Sequence, residues 1–175
     1  MSTWIALLRA VNVGGRNLKM AELRDIVAEA GGTDVRTYIQ SGNVVFGHPG
    51  RSAAKLEALL SERIEAHTGY AVPVMVRSRQ QVEKTIAAQP FPDADEAKLH
   101  VAFLARKPKA EELAPLDKAR AGAEEWKVVG DALYLHLPNG VSNSKLAVAA
   151  GKLKVPATVR NWRTTNKLAE MAAET

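Results

Sequence analysis

The stretch VRTYIQSGNVVFG, Val35 to Gly47, decides the fold. Val35 to Gln40 and Asn43 to Gly47 are β-prone runs joined by Ser41-Gly42, and a two-residue link containing Gly predicts a tight hairpin. Upstream, Trp4 to Asn12 reads as a strand apolar on both sides: Ile5, Leu7 and Val11 alternate with Ala6, Leu8 and Ala10, and Arg9 is the exception. A Gly-containing loop, Asn12 to Asn17, leads into a helix with Met20, Leu23, Ile26, Val27 and Ala30 at helical spacing, which Gly31 ends. Downstream, Ser52 caps a helix with Leu56, Leu59, Leu60 and Ile64 on its inner stripe, Gly69 stops it, and Ala71 to Arg77 supplies a strand. The hairpin therefore lies inside the order strand, helix, strand, strand, helix, strand.

The same order recurs. A helix opens on a capping box from Ser78 to Gln81, and a polar linker runs from Pro90 to Ala97. Leu99 to Ala105 reads as a strand, and a short helix near Ala110 to Arg120 is interrupted by Pro115. Trp126 to Val129 and Ala132 to Leu137 form a hairpin across Gly130-Asp131. Asn143 to Leu153 is helical with Leu146, Ala149, Ala150 and Leu153 facing in. Thr158 to Trp162 is a last strand and Thr165 to Ala173 a closing helix. The expectation is an α+β fold of two tandem ferredoxin-like (βαββαβ) subdomains with extra helices and mainly antiparallel sheets. The first spans 1–90 with its connecting helix, and the second spans 97–175 with a basic C-terminal segment. The repeat is read in element order, without residue identity between halves.

With 46% apolar and 25% charged residues in 175, the composition is that of a globular protein. The absence of Cys excludes a disulfide framework and thiolate chemistry and fits a reducing compartment. Arg9 breaks the apolar N-terminal stretch, so neither a signal peptide nor a membrane helix is expected, and the expected location is the cytoplasm. From Ala132 to Ala169 there is no acidic residue, while Lys145, Lys152, Lys154, Arg160, Arg163 and Lys167 are basic. The chain as a whole carries +5, so its basic character is local and draws anionic partners to one region.

In a split βαβ unit the first two strands are parallel, so the loop after strand one and the turn after strand two share a rim. In the first half that rim carries Asn12, Gly14, Gly15, Arg16 and Asn17 with Ser41, Gly42 and Asn43. In the second half the opposite rim carries Ser142 to Lys145 and Arg160 to Thr165. Gly14-Gly15 between strand and helix suits either a plain turn or an anion nest, and lacks the third Gly of a dinucleotide fingerprint. Ser41-Gly42-Asn43 is explained by hairpin geometry. Ser142-Asn143-Ser144-Lys145 has S-x-x-K spacing, read either as a capped helix or as a serine activated by Lys145. Arg160-Asn161-Trp162-Arg163-Thr164-Thr165 offers two guanidinium forks, an amide, an indole and hydroxyls before a helix. His48, His67, His100 and His136 are too dispersed for a local metal motif, so no metal and no cofactor is assigned. The carboxylates at Asp93, Asp95 and Glu96 and at Glu124-Glu125 read as solvated. Phe46 alone does not make an RNA-recognition strand.

Three stretches, Arg9 to Asn17, Thr37 to Phe46 and Thr158 to Thr164, bracket nearly the whole chain and together resemble the bacterial family catalogued as domain of unknown function 1697. The resemblance implies an α+β fold of two similar subdomains and brings no activity, cofactor or ligand. From the residues themselves, the leading expectation is binding of a phosphorylated or carboxylated ligand, a nucleotide or nucleic acid included, without catalysis. The binding set would be Arg9, Asn12, Gly14, Gly15, Asn17, Ser41, Asn43, Ser144, Lys145, Arg160, Asn161, Arg163 and Thr164. The alternatives are a hydrolase or acyl transferase using Ser142 or Ser144 with Lys145, and a protein interaction module using an uncovered sheet face.

Overall fold

The structure is a computed structural model and describes residues 1–174. It is a mixed α+β fold with two antiparallel four-stranded sheets and six α-helices among the described residues. The chain divides into two compact units, one of residues 1–83 with 167–174, the other of Lys84–Asn166. No helix among the described residues is long and apolar enough to cross a membrane.

The first unit runs β1 (Ser2–Leu8), α1 (Met20–Glu29), β2 (Thr33–Thr37), β3 (Asn43–His48), α2 (Ala53–Thr68) and β4 (Val74–Ser78), with sheet order β2-β3-β1-β4. Trp4, Ala6, Leu8, Val44, Phe46 and Val76 turn one sheet face onto Leu23, Val27, Leu56, Leu60 and Ile64 of the two helices. The Ser52 side chain caps α2 by accepting from Lys55 N, and Gly69 ends it in the left-handed region. β1 stops at Leu8 rather than continuing to Asn12. Arg9 N still donates to Pro73 O, but Ala10 and Asn12 then adopt φ of 59° and 57° and turn the chain out of the sheet. The β2–β3 connection is likewise longer than two residues. Tyr38 N donates to Asn43 O, and residues 38–42 bulge out through Ile39 at φ 50° and Gly42 at φ 77°. Gly42 is required twice over, because a Cβ there would also lie 2.6 Å from Leu8 Cβ.

The second unit runs β5 (Leu99–Leu104), α4 (Ala114–Ala119), β6 (Glu125–Val129), β7 (Ala132–His136), α5 (Lys145–Gly151) and β8 (Ala157–Asn161), with sheet order β6-β7-β5-β8. Before β5 comes α3 (Arg79–Ala87), and after β8 comes α6 (Trp162–Ala173). Pro115 opens α4 instead of interrupting a helix, since a first-turn N–H has no intrahelical acceptor to lose. α5 is capped by Ser144, not Ser142: its Oγ accepts from Ala147 N at 3.1 Å. α6 starts at Trp162 rather than Thr165, because Asn161 Oδ1 accepts the Thr164 N–H at 2.8 Å. Arg36 in β2 donates to Met171 O and pairs with Glu174, which ties the end of α6 into the first unit.

The correspondence between the units goes beyond element order to register. Ile5 lies opposite Arg77 and Val101 opposite Arg160; Trp4 lies opposite Ser78 and His100 opposite Asn161. Leu8 N donates to Gly42 O at 2.8 Å, and Leu104 N to Asp131 O at 2.9 Å. Arg9 N and Ala105 N donate to Pro73 O and Pro156 O respectively.

Candidate functional site

In the first unit the loops after β1 and β2 meet. Asn12 Nδ2 donates to Gln40 O at 2.6 Å, and Asn12 Oδ1 accepts from Leu18 N at 2.9 Å, so one side chain fastens the loop after β1 to the loop after β2. Asn12 N donates to Arg16 O and Arg16 N to Val13 O, which closes a small ribbon with Gly14 (φ 61°) and Gly15 (φ 84°) at its turn. Two consecutive left-handed residues are what a primed turn demands, so the double Gly is a turn and its tip is exposed. Tyr70 holds the ribbon's base: its hydroxyl donates to Asn17 O at 3.1 Å, and the Arg16 guanidinium lies 5.5 Å from its ring centre.

Arg9, Asn12, Gly14, Gly15, Asn17 and Ser41 are thus brought together on one exposed rim. Asn43 is fully buried behind them, donating to Tyr38 O and Ser41 Oγ at 3.0 Å each, and shapes the loop rather than facing solvent. Arg16 and Lys19 add exposed cations. The sequence contains no Asp or Glu from Met1 to Ala21 or from Val35 to Leu56, the segments that build this rim. Three of the four non-glycine residues with positive φ among the described residues, Ala10, Asn12 and Ile39, sit here. Ile39 is β-branched and 52% exposed, so its strain is not offset by burial.

The second-unit residues do not assemble into one cluster. Val159 and Ala157 pack with Leu146 and Ala150 of α5, so by strand alternation Thr158 and Arg160 point to the other sheet face. Arg160 is buried at 9% exposure and donates to Thr158 Oγ1 at 2.8 Å and Val159 O at 3.0 Å. Burial pulls its pKa down to about 10. The sequence expectation of Arg160 as an exposed fork is therefore corrected. Asn161 spends its side chain on capping, Thr164 is buried in the first turn of α6, and Arg163 and Lys145 are exposed. Ser142 is exposed; Ser144 is buried, and its hydroxyl donates to Glu124 Oε2 at 2.6 Å.

A grouping that sequence reasoning missed lies in the same unit. Asp93 and Glu125, exposed as expected, line a cavity of about 300 Å³ with Phe91 and His136, whereas Glu124, also expected to be solvated, is buried at 7% exposure. His136 Nδ1 is 3.4 Å from Glu125 Oε1, and its ring centre is 6.1 Å from that of Phe91. The signal was available, because counting outward from the Gly130-Asp131 turn pairs Glu125 directly with His136.

The family model described as "Protein of unknown function (DUF1697)" matches residues 1–134. Among solved structures, the chain is similar to a conserved bacterial protein, SP0830 from Streptococcus pneumoniae, with a TM-score of 0.78, 26% identity and 99% of each chain covered. No curated protein matches it.

Proposed function

The chain belongs to the DUF1697 family, and from the geometry of its first unit we propose that it binds a phosphate- or carboxylate-bearing ligand at the rim formed by Arg9, Asn12, Arg16 and Ser41. The observation that carries this reading is the concentration of left-handed Ala10, Asn12 and Ile39 beside exposed Arg9 and Arg16. Each such residue costs on the order of 1–3 kcal/mol of backbone strain, which persists where the surrounding structure and a function require it. The flanking segments have no acidic residue, so their field favours anions, and guanidinium forks match phosphate and carboxylate geometry. The turn at Gly14-Gly15 presents backbone N–H groups beside these cations.

The shared strand order and register support the finer reading that the two units are tandem ferredoxin-like copies of one βαββαβ plan. On this reading only the first copy elaborates its rim for binding. The lack of Cys suits the bacterial cytoplasm as the place where it acts.

The test compares Arg9→Gln/Arg16→Gln with a Lys84→Gln/Lys118→Gln control of equal charge change. Retention on a phosphocellulose column and binding of ATP and of a single-stranded oligonucleotide are measured at two salt concentrations. The rim variant is expected to lose affinity in at least one arm with a flatter salt dependence, while the control loses little. Equal losses in the two variants overturn the reading.

A further inference from the structure

The first unit contains a second polar concavity, at the opposite end of β1 from the rim. A cavity of about 340 Å³ is lined by Ser2, Thr3, Trp4, Arg51, Ser78, Arg79 and Gln80. Its volume falls in the range of about 300–1,000 Å³ typical of small-molecule sites. No acidic residue lines it, and two arginines do.

Three features point to the same kind of occupant. Ser78 and Gln81 form a reciprocal capping box: Ser78 Oγ accepts from Gln81 N at 3.2 Å, and Ser78 N donates to Gln81 Oε1 at 2.8 Å. That leaves the Ser78 hydroxyl proton available to donate, and sets the positive end of α3, a nine-residue helix, against the cavity. Arg79 spends its Nε on Glu83 at 2.8 Å and keeps its terminal nitrogens as donors. Trp4 forms part of the wall at 6% exposure, and its Nε1–H is buried without an acceptor. A buried N–H without a partner costs about 1–3 kcal/mol, and this one belongs to a residue that lines the cavity.

We propose that this cavity is a distinct binding site for a small molecule bearing a phosphate or carboxylate group, with Arg51 and Arg79 supplying charge and Trp4 Nε1, Ser78 and the α3 N-terminus supplying hydrogen bonds. None of these residues belongs to the rim, so the two sites fail or succeed separately.

The full chain, labelled with 15N, is titrated with inorganic phosphate and separately with acetate at constant ionic strength, following the indole N–H resonances of its three tryptophans. Trp4→Phe assigns the Trp4 signal. The expected result is a saturable downfield movement of that signal in one or both arms, which names the preferred group. The Trp126 signal, whose N–H is held by Asp117 at 3.1 Å, stays in place. Arg51→Gln, an exposed loop substitution, weakens the titration about tenfold, and Arg9→Gln/Arg16→Gln leaves it unchanged. A drift without saturation in both arms, equal movement of all three signals, or an undiminished affinity in Arg51→Gln overturns the proposal.

Discussion

Arg77 and Arg160 occupy the same position in the two sheets. Each lies on the strand after the second helix, opposite Ile5 and Val101 of the first strands, and each guanidinium donates to the carbonyl of the valine before it, Val76 O at 3.3 Å and Val159 O at 3.0 Å. Both are buried. A long side chain folded back along its strand contributes through its stem as well as its charge.

Truncating Arg160 to Ala is therefore expected to lower stability by about 2–3 kcal/mol, from lost packing and an unsatisfied Thr158 hydroxyl. Arg160→Met, which keeps the stem and removes the charge, should cost less than half as much. Urea midpoints of the two variants check this, and an Arg77 pair should show the same ranking.

Ile39 gives a prediction of opposite sign. Asn tolerates the left-handed region, so Ile39→Asn is expected to raise stability by about 1 kcal/mol. Thermal unfolding measures it; a drop would mean that the exposed isoleucine packs in a way that outweighs its φ of 50°.

Gly42 and Gly14 separate two reasons for a glycine. Both have positive φ, but a Cβ on Gly14 meets open space while one on Gly42 collides with Leu8 and Val11. Gly14→Ala is expected to cost about 1 kcal/mol, and Gly42→Ala about 3 kcal/mol or more. Denaturant midpoints measured side by side test the difference.

A pH dependence follows from Glu112. Arg106 grips both its carboxylate oxygens, at 2.8 and 2.7 Å, and Lys109 N adds a third bond at 2.9 Å. The Arg106 hydrogen bonds foremost hold its pKa down to about 2, against an ordinary 4.5. A depressed acid stabilises the fold fully above the unfolded value and loses that contribution as pH falls. The stability gap between the wild-type protein and Glu112→Gln should thus be constant above about pH 5, narrow below the unfolded value of 4.5 and close near 2. Unfolding curves across that range show it.

Ser144 couples a helix cap to a buried acid. Ser144→Ala removes the cap on Ala147 N and a donor to Glu124, leaving Ala121 N at 3.0 Å as its other partner. The expected loss is about 2 kcal/mol. Because the hydroxyl already donates to a carboxylate and Lys145 is exposed, a fluorophosphonate probe should leave the wild-type serine unlabelled.

Local signals made the elements legible. Ser52, Gly69, the Ser78–Gln81 box and the Gly130-Asp131 turn each mark a boundary within a residue or so of where it falls. What escaped was set by tertiary context. Nothing local announces that Ala10 and Ile39 take left-handed φ, so β1 reads too long and the loop of residues 38–42 too short. Arg160 looks like a surface cation because charge is visible in sequence, while the alternation that turns it onto the face away from α5 depends on where β8 begins. The Glu125–His136 pair is legible only through hairpin register, which sets the two residues opposite each other across the Gly130-Asp131 turn, and neither residue alone signals it.

The bridge that Asn12 makes to Gln40 and Leu18 has a mechanical consequence. The Asn12–Gln40 bond spans 28 residues of sequence, so Asn12→Ala would unfasten the loop after β1 from the loop after β2 at that point.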